Sequence, residues 1–178
     1  MASKVKVDQL ETLDGTGTIA LQNQLSGMTT TSLPTLTSTQ MPAGHILQVV
    51  STKYTSTVNI SSTTFQSSGL YATITPSSTS SKILVMITAS VGGDDHDGSY
   101  LYGAAFRDST ELSKVAFQRD RPVTSYGANS SVCAITYLDS PSSTSNIYYR
   151  FKGKSTNSSH EFRMNYVSGE STITLMER

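Results

Sequence analysis

"KILVMITASV", Lys82 to Val91, is the stretch whose reading decides the fold. Successive side chains of a strand point to opposite faces, so Ile83, Val85, Ile87, Ala89 and Val91 line one side of it. Leu84 and Met86 make the other side partly apolar as well. Working outward, the same two-residue period recurs from Gly44 to the end of the chain. "HILQVVSTKY" is a first strand. "TTFQSSGLYATITP" sets Leu70, Ala72 and Ile74 against Tyr71, Thr73 and Thr75. "SYLYGAAF" aligns Tyr100, Tyr102, Ala104 and Phe106, and "RDSTEL" is a hairpin turn leading into "SKVAFQ". "SSVCAITYL" aligns Val132, Ala134, Thr136 and Leu138, while "NIYYRFKG" aligns Ile147, Tyr149 and Phe151. "HEFRMNYV" aligns Phe162, Met164 and Tyr166, and "STITLMER" closes the chain with Ile173 and Leu175 inward.

Eight or nine strands separated by turn signals, with no helical period between them, predict an all-β fold. The expected form is an antiparallel β-sandwich of jelly-roll type over residues 44–178. Two loops echo each other: "PSSTSSKILV" from Pro76 and "PSSTSNIYYRF" from Pro141. Proline fixes φ and cannot donate to a ladder, so each ends a strand. The hydroxyls that follow bond to local backbone while the chain crosses between sheets.

Residues 1–43 differ from the rest. "KVKVDQLETLDGTGTIALQ" alternates around Asp14-Gly15, a tight-turn dipeptide. "NQLSGMTTTSLPTLTSTQMPAG" carries Pro34 and Pro42 and no sustained period, and reads as an extended linker or shaft. Such a segment buries too little of itself to fold alone.

Composition excludes several functions. Charged residues are 15%, hydrophobic residues 36%, and about three residues in ten are Ser or Thr. Formal net charge is zero, against the Lys and Arg excess that a nucleic-acid binder needs. Cys133 is the one cysteine, so neither an internal disulfide nor a Cys-based zinc site is available. No signal-peptide core and no run of 18 apolar residues occurs, so no membrane insertion is expected.

The most chemically suggestive stretch is "VGGDDHDGSY", with Asp94, Asp95, His96 and Asp97 between glycines. Asp and His bind metal ions. Adjacent residues on an extended chain cannot converge on one ion, however, and the spaced calcium-loop pattern is absent. The stretch reads as a solvated loop tip, with a metal, ligand or receptor contact as the alternative. His45 and His160 lie at strand starts without partners at ligand spacing. Cys133 falls in an alternating strand and is expected to pack inertly between sheets. Arg119 and Arg121 flank Asp120 in "FQRDRP", a solvated cluster with the chemistry to grip a carboxylate. Asn59, Asn129 and Asn157 sit in Asn-x-Ser patterns that a serine-rich chain produces by chance. No nucleophile elbow, zinc helix or phosphate loop occurs, and no cofactor or enzymatic activity is expected. A polysaccharide depolymerase would need paired carboxylates, and Asp94, Asp95 and Asp97 are the one dense acidic cluster. Tyrosine is the best hint of binding. Tyr100, Tyr102, Tyr126, Tyr148 and Tyr149 exceed what a plain sandwich needs, and such rings stack on sugars or fill interfaces.

Four segments, "KVDQLETLDGTGTIALQ", "MPAGHILQVVST", "TITPSSTSSKILVMI" and "STITLMER", resemble in their order fibre-type virion proteins of marine bacteriophages, especially cyanophages. The resemblance implies a trimeric virion structural protein, made in the host cytoplasm and assembled on the particle. Residues 1–43, with apolar Val5, Val7, Leu10, Leu13, Ile19 and Leu21, would trimerise and attach to other virion proteins of tail or capsid. Residues 44–178 would project as a head. That head is also similar to the trimeric jelly rolls of the complement-C1q and tumour-necrosis-factor type. A tail fibre is the first reading and a capsid decoration or head fibre the second. A glycan-binding receptor module, using Tyr100, Tyr126 and the Asp94–Asp97 loop, is compatible with both.

Overall fold

The computed structural model describes residues 41, 44–93, 100–118, 129–166 and 168–178. The chain divides into two units, Met1–Met41 and Pro42–Arg178, and every strand described belongs to the second. The attachment residues Val5, Val7, Leu10, Leu13, Ile19 and Leu21 lie outside the described residues. So do Asp94, Asp95, His96 and Asp97, Arg119 to Arg121, and Tyr126.

Ten strands follow one another: β1 (Gln48–Tyr54), β2 (Val58–Ile60), β3 (Gln66–Ile74), β4 (Ile83–Gly93), β5 (Tyr100–Arg107), β6 (Thr110–Gln118), β7 (Asn129–Asp139), β8 (Ile147–Ser155), β9 (Phe162–Met164) and β10 (Ser171–Glu177). No helix occurs among the described residues. One sheet runs β1-β10-β4-β9-β2, with β7 on the far side of β4; the other runs β3-β8-β5-β6. Every pairing is antiparallel.

The pairing is nested. β1 and β2 pair with β10 and β9, so each couple is one strand interrupted by a break. β3 then pairs with β8, β4 with β7, and β5 with β6. First strand meets last, second meets next to last, and the β5–β6 hairpin is the tip. This long ribbon is then rolled, so that β10 and β9 also pair with β4, and β8 with β5. A ribbon rolled into two facing sheets is a jelly roll. The serine-rich loops after Pro76 and Pro141 join β3 to β4 and β7 to β8, each crossing from one sheet to the other.

The two breaks are held together by Asn165, between β9 and β10. Its φ is 55°, a left-handed conformation that asparagine tolerates better than most residues. The residue is buried, yet its amide is satisfied. Nδ2 donates to the carbonyl of Tyr54 at 2.8 Å, and Oδ1 accepts from Ser171 Oγ at 2.6 Å.

Ile83, Val85, Ile87, Ala89 and Val91 all face the core, as their spacing predicts. Opposite them lie Leu70, Ala72, Ile74, Ile147, Tyr149 and Phe151, with Phe162, Met164, Ile173 and Leu175 completing the cluster. Two strands present the face that their aligned apolar residues do not announce. In β7 the core takes Cys133 and Ile135, while Val132 and Leu138 are 71% and 45% exposed. In β5 the core takes Leu101, Gly103 and Ala105, leaving Tyr100 and Tyr102 on the outer surface. The cause lies in the volume of the core. A Cβ on Gly103 would sit 2.6 Å from the Phe151 ring, and one on Gly153 would sit 2.4 Å from Phe162. Phe151 belongs to β8, the neighbouring strand of the same sheet, and Phe162 to β9 of the facing sheet, so β5 and β8 must each supply a glycine beneath a ring.

Candidate functional site

Tyr100 is the one predicted contact residue inside the described part of the chain. It opens β5 on the outer face of the β3-β8-β5-β6 sheet, exposed, with its backbone tied to Thr156. Gly93, Tyr100, Gln118 and Asn129 are the residues that flank 94–99 and 119–128. All four lie at one end of the sandwich, opposite the end where the chain enters at Gln48 and finishes at Glu177.

The outer face to which Tyr100 belongs carries a sequence of rings and cations. β8 alternates, so Tyr149, Phe151 and Gly153 face in while Tyr148, Arg150, Lys152 and Lys154 face out. Registration places Arg150 between Tyr71 and Phe106, Lys152 beside Ala104, and Lys154 beside Tyr102. Each cation rests on an aromatic ring. The Arg150 guanidinium carbon is 5.0 Å from the Tyr148 centroid, and Lys152 Nζ is 4.2 Å from that of Phe106. Lys154 Nζ lies 4.8 Å from Phe65 and 5.2 Å from Tyr102. Phe65 covers Phe106 edge-on at 5.3 Å, and Tyr71 lies beside Tyr148 at 6.0 Å. Tyr71 is 51% exposed. Lys114 on β6 pairs with Glu111 at 3.1 Å. Among the described residues Arg150, Lys152 and Lys154 have no carboxylate in salt-bridge range.

The opposite end holds two buried acids on one inward row, with Ile83 between them: Glu177 and Asp139. Asp139 accepts both Arg107 bonds, at 2.8 and 2.9 Å, and the Tyr149 hydroxyl at 2.7 Å. This clasp ties one sheet to the other. Burial, then the Asp139 carboxylate, push the Tyr149 hydroxyl far above its ordinary pKa, so it stays a donor. Glu177 Oε1 accepts from Ser77 N and Ser77 Oγ at 2.6 Å and from Ser81 Oγ at 2.7 Å; Oε2 accepts from Gln48. Burial opposes its ionisation, but these donors outweigh it and hold the carboxyl at about 2. Both acids are saturated by the protein's own donors, which makes them structural groups.

Among the described residues no three or more His, Cys, Asp or Glu side chains are grouped where they could hold a metal ion. Burial pushes the Cys133 thiol up to about 11, so it remains protonated and inert, as expected from its strand. His160 is buried beside β9 and His45 is half-buried before β1. No helix of the described residues is long and apolar enough to cross a membrane.

No protein-family model and no curated protein matches the chain. Among solved structures it is similar to the crystal structure of infectious bursal disease virus VP2 subviral particle, at 12% identity and a TM-score of 0.40. The alignment covers 72% of this chain and 32% of that one, so this chain spans about a third of its length.

Of the surplus tyrosines read from the sequence, Tyr126 lies outside the described residues, Tyr149 is buried in the core, and the fold gathers Tyr100, Tyr102 and Tyr148 on one face. The cations between them escape notice in sequence. "YYRFKGK" reads as an amphipathic strand, and only the phase set by Phe151 shows that Arg150, Lys152 and Lys154 share one side.

Proposed function

We propose that the chain is a phage virion structural protein, a trimeric fibre-like appendage. Residues 1–43 attach it to other virion proteins, and the jelly roll is displayed outward. The observation that carries this reading is an apolar row on the outer face of the six-stranded sheet. Val49, Met176, Leu84 and Leu138 lie side by side across four adjacent strands. Val49 is 54% exposed. The next two rows are mostly polar: Ser51, Thr174, Met86 and Thr136, then Lys53, Thr172, Thr88 and Ala134. A continuous apolar row on an outer face is the kind of surface that a partner subunit covers. Copies arranged about a closed axis would cover it on every subunit without leaving a free patch.

Sequence supports the virion assignment through the four ordered segments that resemble phage fibre proteins. A tail fibre is the reading we favour. The test is the native mass of the full chain by light scattering. Three times 19.1 kDa is expected. A stable monomer at high concentration would overturn the trimeric appendage. Gold-labelled antibody against the head, viewed on intact particles, then distinguishes tail from capsid.

A further inference from the structure

We infer that the outer face of the β3-β8-β5-β6 sheet is a binding surface for an acidic polysaccharide, one bearing carboxylate or sulfate groups at intervals. The inference rests on the reading of the domain as a displayed head and extends it to a ligand class. The argument begins with spacing. Arg150, Lys152 and Lys154 occupy alternate positions of one strand, so they recur roughly every 7 Å. From Tyr148 to Lys154 the stripe is about 20 Å long. It suits an extended chain lying along β8, with anionic groups in series.

The second step concerns how the charges are held. Each cation is seated on a ring. A ring contact orients an ammonium or guanidinium without neutralising it. The long side chains are thereby ordered before any ligand arrives, which lowers the entropy lost on binding. These three cations have no carboxylate neighbour in salt-bridge range among the described residues, although the chain as a whole is balanced in charge.

The third step selects the polyanion. Tyr71, Tyr100 and Tyr148 are exposed at the two ends of the stripe, each with an apolar body and a hydroxyl. Such groups suit the mixed apolar and hydroxyl surface of a sugar ring. A nucleic-acid strand would instead need successive bare ring faces for its bases. Here Phe106, Phe65 and Tyr102 lie under lysine ammonium groups. A neutral glycan would make no use of three aligned cations.

The test uses the full-length chain with four probes: alginate, dextran sulfate, neutral dextran and oligothymidylate. Binding is measured by titration calorimetry in low salt. Alginate or dextran sulfate should bind, neutral dextran should not, and added salt should weaken the complex. K152Q/K154Q should weaken binding at least tenfold with an unchanged circular dichroism spectrum. K53Q, on the other sheet, should have no effect. If the double variant misfolds, R150Q alone carries the prediction, with at least a threefold loss. Absence of binding to both acidic polymers, full binding by the charge variants, or equal binding of neutral dextran would overturn the inference. Oligothymidylate bound as tightly as the acidic polysaccharides would overturn it in favour of a general polyanion surface. Light scattering on the same samples separates the two readings. A trimer that binds neither polymer sinks the ligand class alone. A monomer that binds through Lys152 and Lys154 sinks the appendage and leaves the ligand class standing.

Discussion

Glu177 shows what one residue contributes to this fold. The alternation that turns Ile173 and Leu175 inward turns Glu177 inward as well, at the edge of the core. A charged residue next to the chain end reads in sequence as solvated, because nothing local reveals that Ser77 and Ser81 will fold over it. Its carboxylate organises that loop, which accounts for part of the hydroxyl run after Pro76. E177Q keeps the volume but removes the charge and replaces one acceptor with a donor facing groups that donate. A cost of about 2 kcal/mol is expected, a fall in melting temperature of roughly 5–10 °C. The pH dependence has a definite sign. The folded carboxyl is held below its ordinary value of 4.5, at about 2. Its stabilisation is therefore complete above about pH 4.5 and is lost as pH falls towards 2. Thermal melts of wild type and E177Q should differ most near neutrality and converge through that acid window. A constant gap across it would show that the charge does not stabilise the loop.

At the scale of the strand, period two is legible and phase is not always so. β3, β4, β8 and β10 declare their inner face because most of their large aliphatic or aromatic residues fall on one side. β5 and β7 do not. "SYLYGAAF" offers Tyr100, Tyr102 and Phe106 on one face and Leu101, Gly103 and Ala105 on the other, and local hydrophobicity favours the wrong one. The choice is made by the core volume that neighbouring strands take up, which no single strand encodes. Phe151 and Phe162 occupy the space, 6.1 Å apart, and Gly103 yields it. G103A would place its methyl against the Phe151 ring and near Cys133 Sγ. Overpacking of this kind costs about 1–3 kcal/mol. F151L alone also destabilises, by opening a cavity. If the two residues compete for one volume, G103A/F151L should be more stable than the sum of the single effects predicts. Urea melts of the four proteins measure that coupling. Strict additivity would show that something other than Phe151 sets the phase of β5.

The two sheets of the molecule differ in what their outer faces offer. One presents rings and cations along β8; the other presents an uncharged apolar row at the end where the chain enters. The row arises because Leu84, whose half-apolar strand face is already legible in "KILVMITASV", is brought into register with Leu138 on one side and Met176 and Val49 on the other. Registration, and not composition, makes a patch from four scattered residues. If copies of the chain meet on this row, one charge placed in it should dissociate them without unfolding the subunit, since outward positions contribute little to the core. L138E is the variant of choice. Leu138 is 45% exposed, so the carboxylate has access to solvent in the monomer and would be desolvated only in an assembly. T172E is its control, because Thr172 lies four residues along β10 from Met176, in a polar row, opposite Lys53. Light scattering should give a trimeric mass for wild type and T172E and a monomeric mass for L138E, with denaturant midpoints of dilute subunits nearly equal. A trimeric L138E would show that the copies meet elsewhere, and the apolar row would then need a different partner to cover it.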